Sequence, residues 1–205
     1  MQRREARHPE RAGCAERFAA WRPPEGVRNP QVKQGRENPM STDAIVILKD
    51  EHKEIRRAFR EFERAGDTAT AQRGDIADRI IELLTRHTYI ENEVMYPRVR
   101  ELVPSLDKDV LESYEEHHVA DLLVAELSGM KPYDERFNAK MTVLIENVEH
   151  HMDEEENEWF PQVRESLGRK PLQEIGRDLV RAREQAPTSP TQPSAVAKAL
   201  KAVLE

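Results

Sequence analysis

The residues with the clearest chemical potential are histidines and glutamates at a fixed spacing. His87-Thr-Tyr-Ile-Glu91-Asn-Glu-Val-Met-Tyr96-Pro97-Arg-Val99-Arg100-Glu101 is matched 64 positions later by His151-Met-Asp-Glu-Glu155-Glu-Asn-Glu-Trp-Phe160-Pro161-Gln-Val163-Arg164-Glu165. Both segments read His-x3-Glu-x4-(Tyr/Phe)-Pro-x-Val-Arg-Glu. On a helix, positions i and i+4 share one face. The stripe 76, 80, 83, 87, 91, 94 is apolar except at His87 and Glu91, and 141, 144, 148, 151, 155 is apolar except at His151 and Glu155. Each segment therefore turns one imidazole and one carboxylate towards an apolar interior. A buried carboxylate without a partner is strongly disfavoured, and two close together are worse. A metal cation removes that cost, and a mixed imidazole and carboxylate set suits iron, manganese or zinc.

Two other segments offer further ligands. Glu51-His52 places His52 on the stripe 45, 48, 52, 55, 59, 62, while Glu116-His117-His118 repeats the Glu-His order. His117 shares a stripe with Val110, Tyr114, Ala120, Val124 and Leu127; His118 shares one with Leu111, Tyr114, Leu122 and Ala125, so either can face inward. His150 and Glu154 also stand four apart, but on a polar stripe, and the acidic run from Asp153 to Glu158 reads as a solvated face. The candidate metal ligands are thus His52, His87, Glu91, His117 or His118, His151 and Glu155. If both carboxylates bridge two ions, four imidazoles and two carboxylates leave coordination positions open to an exogenous ligand; a single six-coordinate ion, the alternative, would be saturated and inert. No phosphate loop or nucleophile elbow accompanies them.

These residues need helices to carry them. Apolar periodicity predicts helices over about 43–65, from Asp75 to a far end marked by Pro97 and Pro104, over about 108–130, and from about 134 towards Pro161. Ser41, Thr42 or Asp43 can cap the first. The third is expected to bury Leu111, Tyr114, Val119, Leu122, Leu123 and Leu127. The expected fold is all-α, an up-down-up-down four-helix bundle over residues 40–168, followed by a short appended helix over 169–185. Residues 1–39, arginine-rich and without a sustained period, read as a disordered arm or as a start placed too early, with Met40 the true one. Residues 186–205 read as a flexible tail, with 195–205 able to form a short amphipathic helix.

Composition narrows the function. Of 205 residues, 39 are acidic and 32 basic, a formal charge of −7 that gives no reason to expect nucleic acid or an anionic membrane as partner. The lone Cys14 excludes an internal disulfide framework and a thiolate site. The absence of a long apolar run and of a secretory pattern leads to the expectation of a cytoplasmic protein.

The His, His-x3-Glu, His, His-x3-Glu pattern, with its (Tyr/Phe)-Pro continuation, closely resembles the hemerythrin-like HHE cation-binding domains over residues 43 to about 168. The resemblance implies a four-helix bundle around two non-haem iron ions, with His52, His87, Glu91, His117 or His118, His151 and Glu155 as ligands. Met40-Ser-Thr-Asp-Ala-Ile also looks like the usual start of such proteins. Oxygen-carrying hemerythrins resemble this pattern but use a fifth imidazole and an aspartate that the chain lacks. The expected functions are binding or sensing of oxygen or a related small ligand, or iron handling. An enzyme acting on peroxide or nitric oxide is the alternative, with Tyr89 and Tyr114 as redox or proton partners or as core residues. A third reading is a helical interaction module that metal stabilises, its appended helix docking a protein.

Overall fold

The computed structural model describes residues 42–66 and 69–190. The expected arm, the alternative start at Met40 and the helix expected within 195–205 lie outside the described residues.

The first helix, α1 (Ala44–Arg64), begins where the Asp43 side chain accepts the Val46 N–H at 3.3 Å. Asp43 also receives both guanidinium nitrogens of Arg164, at 2.9 and 3.0 Å, which ties the start of α1 to a later helix. The second helix starts earlier than its apolar stripe indicates, at Thr70 rather than Asp75. It runs as α2 (Thr70–Ile90), passes through a π-helical turn at Glu91–Met95, and continues as α3 (Tyr96–Leu102). After a 3-10 turn at Pro104–Leu106 come α4 (Asp107–Ser128) and α5 (Phe137–Glu154). A second π turn at Glu155–Trp159 leads into α6 (Phe160–Leu167), and α7 (Arg169–Arg183) closes the described chain. The described residues form helices and connections without a strand. The architecture is a four-helix bundle, α1 against α2 and α4 against α5, with α7 added at one end. No helix among the described residues is long and apolar enough to cross a membrane.

Both π turns have the same local cause. Pro97 and Pro161 lack an N–H and crowd the carbonyl four residues earlier, which favours a turn one residue wider. The Tyr96 N–H accordingly bonds the Glu91 carbonyl, and the Phe160 N–H bonds that of Glu155, five residues back. Each proline widens the helix over the turn that begins at its candidate glutamate instead of ending it.

Two apolar clusters fill the bundle. One contains Ile55, Phe59, Ile80, Leu84, Leu144 and Val148; the other contains Leu48, Ile90, Tyr96, Trp159 and Phe160, with Leu172, Ile175 and Leu179 of α7 covering it. The apolar face of α7 is thereby used within the chain. Gly176 permits the approach, since a Cβ there would lie 1.9 Å from the Thr42 carbonyl oxygen. Along α1, α2 and α4 the boundary between the clusters falls at a histidine: His52 between Leu48 and Ile55, His87 between Leu84 and Ile90, His117 between Tyr114 and Ala120; on α5 it follows His151 and Met152, before the second π turn. The site is a polar layer between two apolar ones.

On α4 the expected core needs correction. Leu111, Val119 and Leu122 are 44%, 45% and 54% exposed, and the buried face is Val110, Tyr114, His117, Ala120, Val124 and Leu127.

Candidate metal centre

Six side chains on four elements meet in that layer. His52 comes from α1, His87 and Glu91 from α2 and its π turn, His117 from α4, His151 and Glu155 from α5 and its π turn, and all six are buried. His52 Nε2 lies 3.2 Å from His87 Nε2, and His117 Nε2 lies 3.0 Å from His151 Nε2. Glu91 stands between the two imidazole pairs, its Oε2 at 3.2 Å from His87 Nε2 and 3.4 Å from His117 Nε2. Glu155 spans them from the other side, with Oε2 at 3.4 Å from His52 Nε2 and 3.7 Å from His151 Nε2. Two metal-capable groupings result, with ligand atoms of each within 4.8 Å of one another: His52, His87, Glu91 and Glu155, and Glu91, His117 and His151.

The structure does not bring His118 into this cluster. One residue along a helix is a rotation of about 100°, so with His117 inward His118 is carried to a half-buried position whose charge acts on Asp121. The stripe it shares with Leu111 and Leu122 is the solvated side of α4.

The far nitrogen of each imidazole is held. Nδ1–H of His52 donates to Glu156 at 2.8 Å, that of His87 to Glu51 at 3.1 Å, that of His117 to the Asn92 side-chain oxygen at 2.9 Å, and that of His151 to Glu116 at 2.6 Å. An imidazole that donates from Nδ1 presents its Nε2 lone pair, so four lone pairs converge on the layer. Such outer partners orient metal-binding histidines and raise their basicity.

The chemistry of this donor set fits a metal. Both Glu91 oxygens and Glu155 Oε2 are buried and accept no hydrogen bond. Among the described residues neither carboxylate has a lysine or arginine partner. Converging lone pairs and unbonded carboxylate oxygens repel one another unless a cation or protons lie between them. Without metal, protons serve: burial and then the Glu155 charge push Glu91 well above the usual carboxylate range. Burial opposes a charge on His52, but Glu155 and Glu156 outweigh it and raise its pKa. His117, whose Nδ1 partner is a neutral amide, is pushed well below the usual value by burial and by His151.

A sequence model of the hemerythrin HHE cation-binding domain matches residues 43–163, which contain all six side chains. The chain belongs to the hemerythrin HHE cation-binding family. It is 26% identical over 157 residues to an uncharacterized hemerythrin-like protein of Schizosaccharomyces pombe, covering 76% of this chain and 75% of that protein. It is 24% identical over 139 residues to a DNA nickase of Nostoc, covering 68% of this chain but spanning only 38% of the nickase. Among solved structures it is similar to an HHE cation-binding domain protein of Mycobacterium kansasii. That likeness has a TM-score of 0.59 and 22% identity, covering 70% of this chain and 86% of that one, and it shows a shared fold.

Within this HHE domain several site residues were not legible as such in the sequence. Tyr96 is fully buried, and its hydroxyl donates to Glu155 Oε1 at 3.0 Å while lying 3.1 Å from His117 Nε2 and 3.4 Å from His151 Nε2. Burial, followed by Glu155 and Glu91, pushes its pKa well above 10, so it remains a phenol. The signal was present in the (Tyr/Phe)-Pro element, since position 96 carries a hydroxyl and its twin Phe160 does not. Tyr114 sits one layer out, its hydroxyl donating to the Asn92 carbonyl at 3.4 Å. Asn92 lacks a main-chain donor because the Tyr96 N–H goes to Glu91 and Pro97 has none. Tyr89 is partly buried beside the second apolar cluster. Glu156, in the run expected to be a solvated face, is instead held at about 2 by the His52 hydrogen bond and the Arg56 guanidinium, despite partial burial.

A cavity of about 140 Å³ reaches His151 and Glu155 from the surface between α4 and the second π turn. A narrower one of about 10 Å³ lies against His87, His117 and His151 from the other side of α4.

Proposed function

We propose that this domain holds two iron ions between the imidazole pairs and binds or senses oxygen or a related small ligand there. The observation that carries the reading is the sharing of Glu91 by two imidazole pairs whose far nitrogens are all fixed. That sharing supports two adjacent ions over one. Iron in such a site supplies open coordination positions and reversible one-electron chemistry. The chain's own residues do the rest. Glu51, Glu116, Glu156 and Asn92 keep the imidazoles aimed inward, the two carboxylates balance charge, and the apolar clusters on either side keep bulk water out. A space of about 140 Å³ is smaller than pockets for drug-sized organic substrates, roughly 300 Å³ and more. It favours a diatomic molecule or peroxide.

Tyr96 favours a second reading, an enzyme acting on peroxide or nitric oxide. Its phenol keeps a proton within hydrogen-bond distance of Glu155 and both imidazoles of one pair, where a bound ligand could take it. Metal analysis joined to spectroscopy tests both. About two irons per chain are expected; one zinc, or no metal, refutes the dinuclear proposal. Visible bands that form with oxygen and vanish reversibly under vacuum support binding. Peroxide disproportionation lost in Tyr96→Phe supports the enzyme.

A further inference from the structure

The surroundings of the cluster are electrostatically lopsided. On the α1 and α2 side, the outer carboxylates are matched by cations. Glu156 takes the Arg56 guanidinium at 2.6 Å with Lys49 at 3.8 Å, and Glu51 lies 3.4 Å from Arg183 and feels Arg86. On the α4 and α5 side the reverse holds. The 140 Å³ cavity is lined by Asp109, Glu112, Glu116, Glu154, Glu155 and Glu158, and no lysine or arginine lines it. Among the described residues, Asp109, Glu112 and Glu158 have no cationic partner. Exposed His150 joins two of the lining acids, Glu116 and Glu154, in a group whose ligand atoms lie within 4.8 Å of one another. At the inner end lies Glu155 Oε2, buried and accepting no hydrogen bond. Glu116 links the two, since its Oε2 also takes the proton of His151 Nδ1.

We propose that this cavity is the loading route for the centre: divalent cations are captured at Glu116, His150 and Glu154 and pass along the acidic wall to Glu155 and His151. The inference rests on the reading of the buried cluster as a metal centre. A cleft of one sign with low-dielectric walls concentrates counter-ions and raises their association rate. The cations clustered on the opposite side discourage approach from there. These acids raise repulsion within the fold and have no cationic partner among the described residues, so their grouping around one passage is best accounted for by an ion that passes through.

The test follows cobalt(II) uptake by metal-stripped protein, from its visible bands in stopped flow, without oxygen. Wild type should end at two ions per chain. The triple variant Asp109→Asn/Glu112→Gln/Glu158→Gln should load about tenfold more slowly at low ionic strength. It should reach the same two ions, and the gap should shrink at about 0.5 M salt. A control that removes equal charge elsewhere, Glu63→Gln/Asp75→Asn/Asp78→Asn, should load like wild type. His150→Ala/Glu154→Gln should slow uptake without lowering the final content. Wild-type rates in the cavity triple, or equal slowing in the control, overturn the route. A wild-type rate in the His150/Glu154 variant overturns the capture group. If wild type takes up no pair of ions, the metal-centre reading fails, and the route falls with it.

Discussion

Replacing Tyr96 by Phe removes one atom from the centre of the site and leaves the packing. The ring contacts to Tyr114, Trp159 and His117, with centroids 5.2 to 5.5 Å apart, do not involve the hydroxyl. The twin position also holds a phenylalanine, Phe160, stacked 5.8 Å from His52, so the fold accepts that ring beside an imidazole. What is lost is a hydrogen bond from the phenol to Glu155 Oε1. Burial disfavours ionisation of Glu155, but His151 and then His52 outweigh it and keep the carboxylate charged at neutral pH. A bond to a charged acceptor contributes about 1.5–3 kcal/mol. Part of this is offset because the variant no longer buries a hydroxyl, which leaves a net loss of about 2 kcal/mol. For a chain of this size that lowers the thermal midpoint by about 4–8 °C, measured on metal-stripped protein by circular dichroism at neutral pH. In a double-mutant cycle with Glu155→Gln, the second removal should cost less than the first, with a coupling of about 1–2 kcal/mol. Metal content should remain at two. A midpoint unchanged within a degree, or additive costs in the cycle, would mean that the phenol and Glu155 do not share a proton as described.

Other expected outcomes are sharper in sign than in size. His117→Ala should drop the metal content below two ions per chain, while His118→Ala should leave it unchanged; the opposite result would reverse the orientation of α4. Asp121, pushed up to about 6 by burial despite the Thr88 hydroxyl and His118, starts from 3.8 in an unfolded chain. The folded state therefore keeps its proton longer, and this group's contribution to stability falls as pH rises from about 4 through 6, by about 2–3 kcal/mol in all. Asp121→Asn should thus raise the thermal midpoint by several degrees at pH 7.5, with the difference vanishing below about pH 3.5; an equal gain at both pH values would refute the titration. Gly176→Ala places a methyl where the Thr42 carbonyl oxygen already is and should destabilise by about 2–3 kcal/mol as α7 lifts from α1. Gly66→Ala, which meets no atom within 4 Å, should cost far less.

The ease of reading the bundle from its sequence varied along the chain for physical reasons. On α1, α2 and α5 the apolar positions, the exposed Val46 and Val143 apart, form one main stripe each, and burial follows it through His52, His87 and His151. Helix α4 has apolar residues on two faces. Leu111, Val119 and Leu122 look like core, and only packing against α2 and α5 selects the face of Val110, His117 and Val124 instead. Periodicity could not choose between adjacent histidines there, because the deciding contacts are tertiary. The π turns were hidden differently. Pro97 and Pro161 were visible, but a proline in a helical pattern more often announces a kink or an end than a wider turn.

The internal repeat conveys the site most clearly, and its breaks say more than its matches. Glu51 and Glu116 play one part towards the imidazoles of His87 and His151, and the two His-x3-Glu pairs another. The twins diverge at two places that touch the same layer. Glu156 backs His52 with a full charge where Asn92 backs His117 with a neutral amide, and Tyr96 brings a phenol where Phe160 brings a bare ring. The first difference agrees with the opposite pKa directions of the two histidines, His52 raised and His117 lowered. The second puts the phenol hydroxyl beside the His117 and His151 pair, with no counterpart at the other pair. The acidic cavity opens to that same pair, at His151. A duplicated scaffold thus supplies two matched sets of donors, and substitutions at two twin positions make the halves unequal in charge and in proton supply. A ligand entering by the cavity would meet His151 and Glu155 first, on the half that carries the phenol.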